Sequence, residues 1–297
     1  GQVCYRGGCY PAAPSAPEVG QVVISELMYN PNDDPDAREM ADPGLEPIRE
    51  TNAEWIEVYN PTGDYKTLHE CEITDFDATR QPSERPTAIE DVVVPPNGHA
   101  LFVRSDRPER NGGLTADHRF YFNLTNQGDT IRLRCGDTLI DEVTYTDNGA
   151  GRGRARAQSI ALDPAVANAM TNDDPRAWCL SRDQDQYLAV PNHTGTPGQP
   201  NPPCDRCANV VCNQPPPPRC DGGGTSLTFA ANGVCQTTGL DAECVYDGTP
   251  EVCQNGQMCM DGGCMPQGVR PPVLGDLVVT EIMADPSQPV EDQNGEW

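Results

Sequence analysis

Lysine is almost absent: Lys66 is the only one among 20 basic residues, which face 45 acidic ones for a formal net charge of −25. The acid is spread along the chain, with 31 acidic against 16 basic residues in 20–201 and 13 against 3 in 202–297. Such a surface repels phosphate backbones, which excludes nucleic-acid binding through a basic face. Long apolar runs are missing too; none approaches the roughly 20 residues of a membrane helix, so no span is expected in this segment. Histidine is scarce. His69, His99, His118 and His193 stand in no H-E-x-x-H pattern, and no G-x-S-x-G occurs, so neither a zinc protease nor a serine hydrolase is signalled. No secretory leader is recognisable, and a chain starting at Gly1 is expected to have an export signal upstream or already removed. The arginine-for-lysine bias, with abundant Ala, Gly and Pro, reads as a GC-rich bacterial genome.

What is abundant is cysteine, glycine and proline: 14, 28 and 30 residues in a chain of 297. Nine of the cysteines fall between Cys204 and Cys264. That density implies a small stapled domain from an oxidising compartment, outside the cell or on its surface. The chain also repeats itself. Gly1–Pro11 (G-Q-V-C-Y-R-G-G-C-Y-P) reappears as Gly256–Pro266 (G-Q-M-C-M-D-G-G-C-M-P), and Val22–Pro31 as Leu277–Pro286. The offset is 255 throughout, with 13 of 31 aligned positions identical. Asn52–Trp55 returns as Asn294–Trp297 after a spacer 13 residues shorter. A fixed period of this kind is the mark of an array, and the chain reads as slightly more than one unit of a tandem repeat.

Taken in order, 1–11 is the tail of a preceding cysteine-rich module and 12–19 a Pro/Ala linker. A strand series follows. Val22–Met28 is a buried-type run interrupted by Ser25 and Glu26, and in Glu54–Tyr59 Ile56 and Val58 oppose Trp55, Glu57 and Tyr59. Leu68–Thr74, Ala100–Val103 and Phe120–Leu124 are shorter. Ile131, Leu133 and Cys135 alternate with Arg132 and Arg134, and Gly136-Asp137 turns the chain into Leu139–Tyr145. About seven short strands with turn-rich joints point to an all-β fold, an immunoglobulin-like antiparallel β-sandwich.

The residues I-S-E-L-M-Y-N-P (24–31), E-W-I-E-V-Y-N-P (54–61), N-Q-G-D-T-I-R-L (126–133), I-D-E-V-T-Y (140–145) and G-T-P-G-Q-P-N (195–201) resemble the lamin tail domain. The resemblance spans 20–201 in order and implies an immunoglobulin-like module of the kind found in nuclear lamins and in many secreted bacterial proteins. The acidic insertion 32–51 and the long stretch between Tyr145 and Trp178 depart from the pattern. Residues 202–266, with C-x4-C-x7-C from Cys207 through Cys212 to Cys220 and then Cys235, Cys244, Cys253, Cys259 and Cys264, resemble a cysteine-rich repeat of myxobacterial surface proteins. A linker, 267–274, leads to 275–297, which restarts a second lamin tail domain with its first strands.

Cys204-x2-Cys207 has a zinc-like spacing, but Cys212 and Cys220 are badly spaced for a second pair and no histidine lies near. Disulfides are therefore expected. Cys207 to Cys264 supplies an even set of eight. We pair Cys71 with Cys135 across the sandwich and Cys179 with Cys204 at the module junction. Cys4 and Cys9 pair together or with a segment upstream. Oxygen-rich loops make Asp33, Asp34 and Asp36 the calcium candidates, with Asp285, Glu291 and Asp292 in the second copy, although none has EF-hand spacing. No other cofactor is indicated. Glu26 and Glu57 on neighbouring strands have the composition of a glycosidase pair; both fall in the family's ordinary pattern, so they read as structural and no enzyme is expected. Arg152, Arg154 and Arg156 form the one basic cluster, read as a loop held by surface acids, and the sequons at Asn123 and Asn192 carry little weight.

These readings converge on an exported structural repeat whose partners are copies of itself or neighbouring repeats, building an extracellular filament, stalk or surface fibre. The alternatives are a surface- or carbohydrate-binding accessory region of a larger secreted hydrolase, or a calcium-dependent adhesin. Alkylation in denaturant is expected to add nothing before reduction and 14 groups after it; labelling of the unreduced chain would contradict the disulfide reading.

Overall fold

The computed structural model describes residues 2–31, 50–76, 86–146, 156–188, 193–208, 210–222 and 224–268. The chain divides into two compact units, 1–210 with 237–243, and 211–236 with 244–297. The calcium candidates Asp33, Asp34, Asp36, Asp285, Glu291 and Asp292 lie outside the described residues, as do Arg152, Arg154, Asn192 and the proposed restart at 275–297.

The first unit opens with a hairpin of β1 (Val3–Tyr5) and β2 (Gly8–Tyr10). The sandwich begins with β3 (Val23–Met28), β4 (Trp55–Tyr59), β5 (Lys66–Thr67), β6 (Cys71–Asp75), β7 (Thr87–Ile89), β8 (Val93–Val94) and β9 (His99–Val103). It continues through β10 (His118–Arg119), β11 (Gly128–Cys135), β12 (Thr138–Thr146), β13 (Ile160–Leu162) and β14 (Trp178–Leu180), and ends with β15 (Gln186–Leu188) and β16 (His193–Thr194). One sheet has the order β10-β9-β4-β3-β13-β14 and the other β12-β11-β6-β7. Between them lies the main core, with Ile24, Leu27, Ile56, Val58, Phe102, Ile131, Leu133 and Trp178 among its buried residues.

The alternation in β11 holds: Ile131 and Leu133 are buried, while Arg132 and Arg134 are half-exposed. Strands β3 and β4 behave differently. Every residue of β3 is buried, including Ser25 and Glu26, because their sheet is covered on both faces. Ile56 and Val58 enter the main core, whereas Trp55 joins Met28, Leu101 and Val103 in a second cluster against which Tyr187 packs.

Three expectations need correction. Phe120–Leu124 forms no strand. Its Phe120, Phe122 and Leu124 are buried, but the backbone crosses between the sheet edges: Phe120 donates its N–H to the Val103 carbonyl of β9, and Tyr121 to the Thr87 hydroxyl of β7. The sandwich is not wholly antiparallel, since β10 runs parallel to β9. Cys71 and Cys135 are joined, but within one sheet and not across the sandwich, because the β6–β11 register sets them directly opposite each other. Cys179 and Cys204 are joined as well. The stretch after Tyr145 also supplies a strand that periodicity did not reveal: the three-residue β13, inserted between β3 and β14.

The second unit contains a sheet of β17 (Arg219–Asp221), β18 (Thr225–Phe229) and β21 (Gly248–Val252). The chain also forms hairpins of β19 (Val234–Thr238) with β20 (Asp241–Val245), and of β22 (Gln257–Met260) with β23 (Gly263–Pro266). Among its described residues the buried ones are Cys212, Ser226, Cys259 and Gly262, so it has no aliphatic core. Bridges Cys212–Cys244, Cys220–Cys259 and Cys253–Cys264 take that role. A domain this small cannot hide enough apolar surface to fold unaided, and cross-links offset the deficit by restricting the unfolded chain. Cys207 and Cys235 are also disulfide-bonded, and no cysteine is free.

The Cys71–Cys135 bridge spans 64 residues of sequence, a closure worth about 4 kcal/mol in chain entropy. Replacing both cysteines by alanine is expected to lower the unfolding free energy by about that amount in urea titrations. A loss below about 1 kcal/mol would contradict the assignment of this bridge as a main brace of the sandwich.

Candidate functional site

Two acids stand at the centre of the six-stranded sheet. A bulge between Ile24 and Glu26 leaves Ser25 without a register partner, and Glu26 comes to lie opposite Glu57 of β4. Neither glutamate has any exposed surface. The cover is the segment that begins at β16 and runs to Asn201.

Each carboxylate binds that segment. Thr196 donates its N–H to Glu26 Oε1 at 2.9 Å, and its hydroxyl lies 2.9 Å from Glu26 Oε2. Ser159, at the approach to β13, also donates its hydroxyl to Glu26 Oε1. Gly198 donates its N–H to Glu57 Oε2, and Ser25 its hydroxyl to Glu57 Oε1 at 3.2 Å. His99 Nδ1 lies 2.9 Å from the same Oε1, with its ring 4.9 Å from that of Tyr59. Asn201 ties the end down, donating to the carbonyls of Ser25 at 2.9 Å and Leu162 at 3.1 Å. Gly195 has no room for a side chain: a Cβ there would stand 2.9 Å from the Trp55 ring and 3.0 Å from Ser159 Oγ. The motif G-T-P-G-Q-P-N is thus a strap whose glycine, threonine, second glycine and asparagine each have a separate job.

The hydrogen count leaves room for a proton on Glu26. Both Asn201 amide hydrogens are used on carbonyls, so its Oδ1 is an acceptor, and the Thr196 hydroxyl lies 2.8 Å from it. A hydroxyl has one hydrogen. If Thr196 donates it to Asn201, it must accept from Glu26, which requires Glu26 to be protonated at Oε2. Burial raises the Glu26 pKa to about 8, and the neighbouring Glu57 charge adds to the rise. Burial also raises Glu57, opposed by His99 and by the Gly198 amide. Two adjacent carboxyl groups holding one proton is the arrangement expected when like charges share a dry site.

The same device recurs elsewhere in the sandwich. Asp141 of β12 accepts the Ile24 N–H at 2.6 Å and an Asn172 amide hydrogen at 2.7 Å, and burial raises its pKa to about 7. Glu54 accepts the Leu124 N–H at 3.0 Å and Asp117 the Leu101 N–H at 2.8 Å.

Of the residues singled out in the sequence, Glu26 and Glu57 are brought together and saturated by internal donors. A cleft of about 110 Å³ lies beside them, lined in part by Ser25, Tyr59, His99, Pro200 and Asn201, but it does not expose either carboxylate. His69 and His118 lie elsewhere, on Arg6 and on the Ala88 carbonyl. Among the described residues, no group of three His, Cys, Asp or Glu side chains has metal-holding geometry. Sequence reading missed Ser159, Thr196, Gly198 and Asn201 as partners of the acids. The strap motif was visible, but its contacts with Glu26 and Glu57 span 170 and 141 residues of sequence.

The pH dependence has a definite sign. A carboxyl whose folded pKa lies above its unfolded value stabilises the fold below the unfolded pKa and loses that contribution as pH rises through the folded one. Unfolding free energy is therefore expected to fall between about pH 5 and 9, by up to about 1.4 kcal/mol per pH unit for each proton involved. Glu26→Gln, which keeps a donor at the Oε2 position and cannot ionise, is expected to match the parent near pH 4 and to flatten the decline between about pH 5 and 8. A parent whose stability rises with pH over this range would contradict the protonated state.

The family model of the lamin tail domain matches residues 15–147. No curated protein and no solved structure matches the chain. Strands β13 to β16 and the strap at 193–201 lie beyond the matched residues, and they complete the sheet and cover its buried acids. Residues 15–147 are thus similar to the lamin tail domain, and the segment after them is held in place by Glu26 and Glu57.

Proposed function

We propose that this chain is a structural repeat of an exported extracellular filament, stalk or surface fibre, made of lamin tail sandwiches alternating with disulfide-stapled connectors. The observation that carries this reading is that all 14 cysteines are bridged and that one unit has cystines where other domains have a core. Such a unit persists only in an oxidising compartment. The buried acids support a mechanical role over a catalytic one: both are fully buried, and their acceptors are occupied from within. Among the described residues no helix is long and apolar enough to cross a membrane.

In this reading the sandwiches resist force through their sheet ladders, and the bridges prevent the connectors from extending. The net charge of −25 keeps neighbouring fibres apart. The partners are copies of the same repeat, in one polypeptide or in adjacent ones.

Immunogold labelling of producing cells with an antibody to the cysteine-rich unit tests the proposal. Gold is expected along thin structures outside the cell envelope. Cytoplasmic gold, or gold only over dispersed secreted material, would overturn it.

A further inference from the structure

The two hairpins related by the 255-residue offset share one geometry. Cys4 faces Cys9 across β1 and β2, and Cys259 faces Cys264 across β22 and β23. Both turn through two residues of positive φ, Arg6 (43°) and Gly7 (91°) in the first, Asp261 (50°) and Gly262 (80°) in the second. This is the tight hairpin turn that suits strand twist, and glycine meets its demand at the second position.

Their surroundings differ. The second hairpin is covered by its own cysteine-rich unit. Ser226 donates its hydroxyl to the Gly262 carbonyl, and a Cβ on Gly262 would collide with the Pro218 backbone at 2.3 Å. Cys259 is buried and bridged to Cys220, and Cys264 is bridged to Cys253. Among the described residues the first hairpin has no such cover. Cys4 and Cys9 are exposed, nothing lies within 4 Å of a Cβ on Gly7, and the two cysteines close on each other. Its contacts run to the sandwich instead: Arg6 pairs with Asp91, and the Tyr10 ring lies 5.4 Å from that of Tyr65.

We infer that the Val3–Tyr10 hairpin is a docking element for a second cysteine-rich unit, in which Cys4 bonds the cysteine equivalent to Cys220 and Cys9 the one equivalent to Cys253. The partner is a copy of the 202–255 sequence joined ahead of Gly1. It would bring a proline against Gly7 and a serine against its carbonyl. Docking would replace the Cys4–Cys9 bridge with these two inter-unit bridges. Each inter-unit bridge forms from two thiols, whose two protons and two electrons pass to a disulfide oxidant such as glutathione disulfide, itself released as two thiols. Each sandwich would then be covalently fastened at its N-terminal end to the connector before it. The inference rests on the repeat reading made above, but its test is independent of whether fibres form.

The test is the full chain with a second copy of 205–255 fused directly ahead of Gly1, a copy that omits Cys204 because its partner Cys179 is not duplicated, oxidised with glutathione and mapped by non-reducing proteolysis and mass spectrometry. Cross-linked peptides are expected joining Cys4 to the added Cys220 and Cys9 to the added Cys253, with no Cys4–Cys9 peptide. The downstream Cys220–Cys259 and Cys253–Cys264 bridges serve as an internal reference. A retained Cys4–Cys9 peptide would overturn the inference. Cys4→Ser in the same fusion gives a second readout: the thiol released to alkylation is expected on the added Cys220, and release on Cys9 would overturn the docking as well. Failure of the map with gold still on extracellular fibres would reject this joint alone, whereas intracellular gold would reject the fibre and leave the joint to the map.

Discussion

A carboxyl group taken out of water is costly unless donors replace the solvent it gave up, and this sandwich is arranged around several such groups. Glu26, Glu57, Glu54, Asp117 and Asp141 each accept a backbone N–H from a segment remote in sequence or from a neighbouring strand. Four of the five donors lie where a regular ladder cannot serve them: Thr196 and Gly198 in the strap, Leu124 at the crossover and Ile24 at the bulged start of β3. Those four acids therefore specify where an irregular stretch must lie. Removing the acid would leave a buried amide unpaired; removing the segment would leave a carboxyl unsatisfied in a dry site.

The two units reach stability by different physical routes. The sandwich buries Trp55, Trp178, Tyr29, Tyr145, Phe102 and Phe120 completely, or within a few per cent of it, and its apolar interior would hold most of the fold without cross-links. The cysteine-rich unit buries two cysteines, a serine and a glycine among its described residues, and its order derives from bridges that close loops of 11 to 39 residues. Reduction should thus erase the second unit and weaken the first.

Much of this was legible in the residues. The period-two pattern at Ile131–Cys135 became β11, and the apolar run at Val22–Met28 became β3. What could not be read has identifiable causes. Glu26 and Glu57 look like surface residues by composition, and only the second covering layer, built from residues past 180, buries them. Strand β13 is three residues long and carries no period of its own; its place between β3 and β14 comes from tertiary pairing. Phe120–Leu124 has the spacing of a strand, but its alternate side chains fill the gap where the chain changes sheets. Cys71 and Cys135 join neighbouring strands of one sheet, which spacing alone does not reveal, since it does not say which strands are neighbours.

Amide hydrogen exchange at Thr196 and Gly198 measures most directly whether buried carboxyls hold the sandwich closed. These two residues lie in an irregular strap, but their N–H groups are given to Glu26 and Glu57. The account expects both amides to exchange as slowly as those of Ile56 and Val58 in the central strand β4, through the same global opening. Exchange at the rate of an unprotected loop, while β4 remains protected, would show that the strap is not fastened and that the acids do not organise the fold.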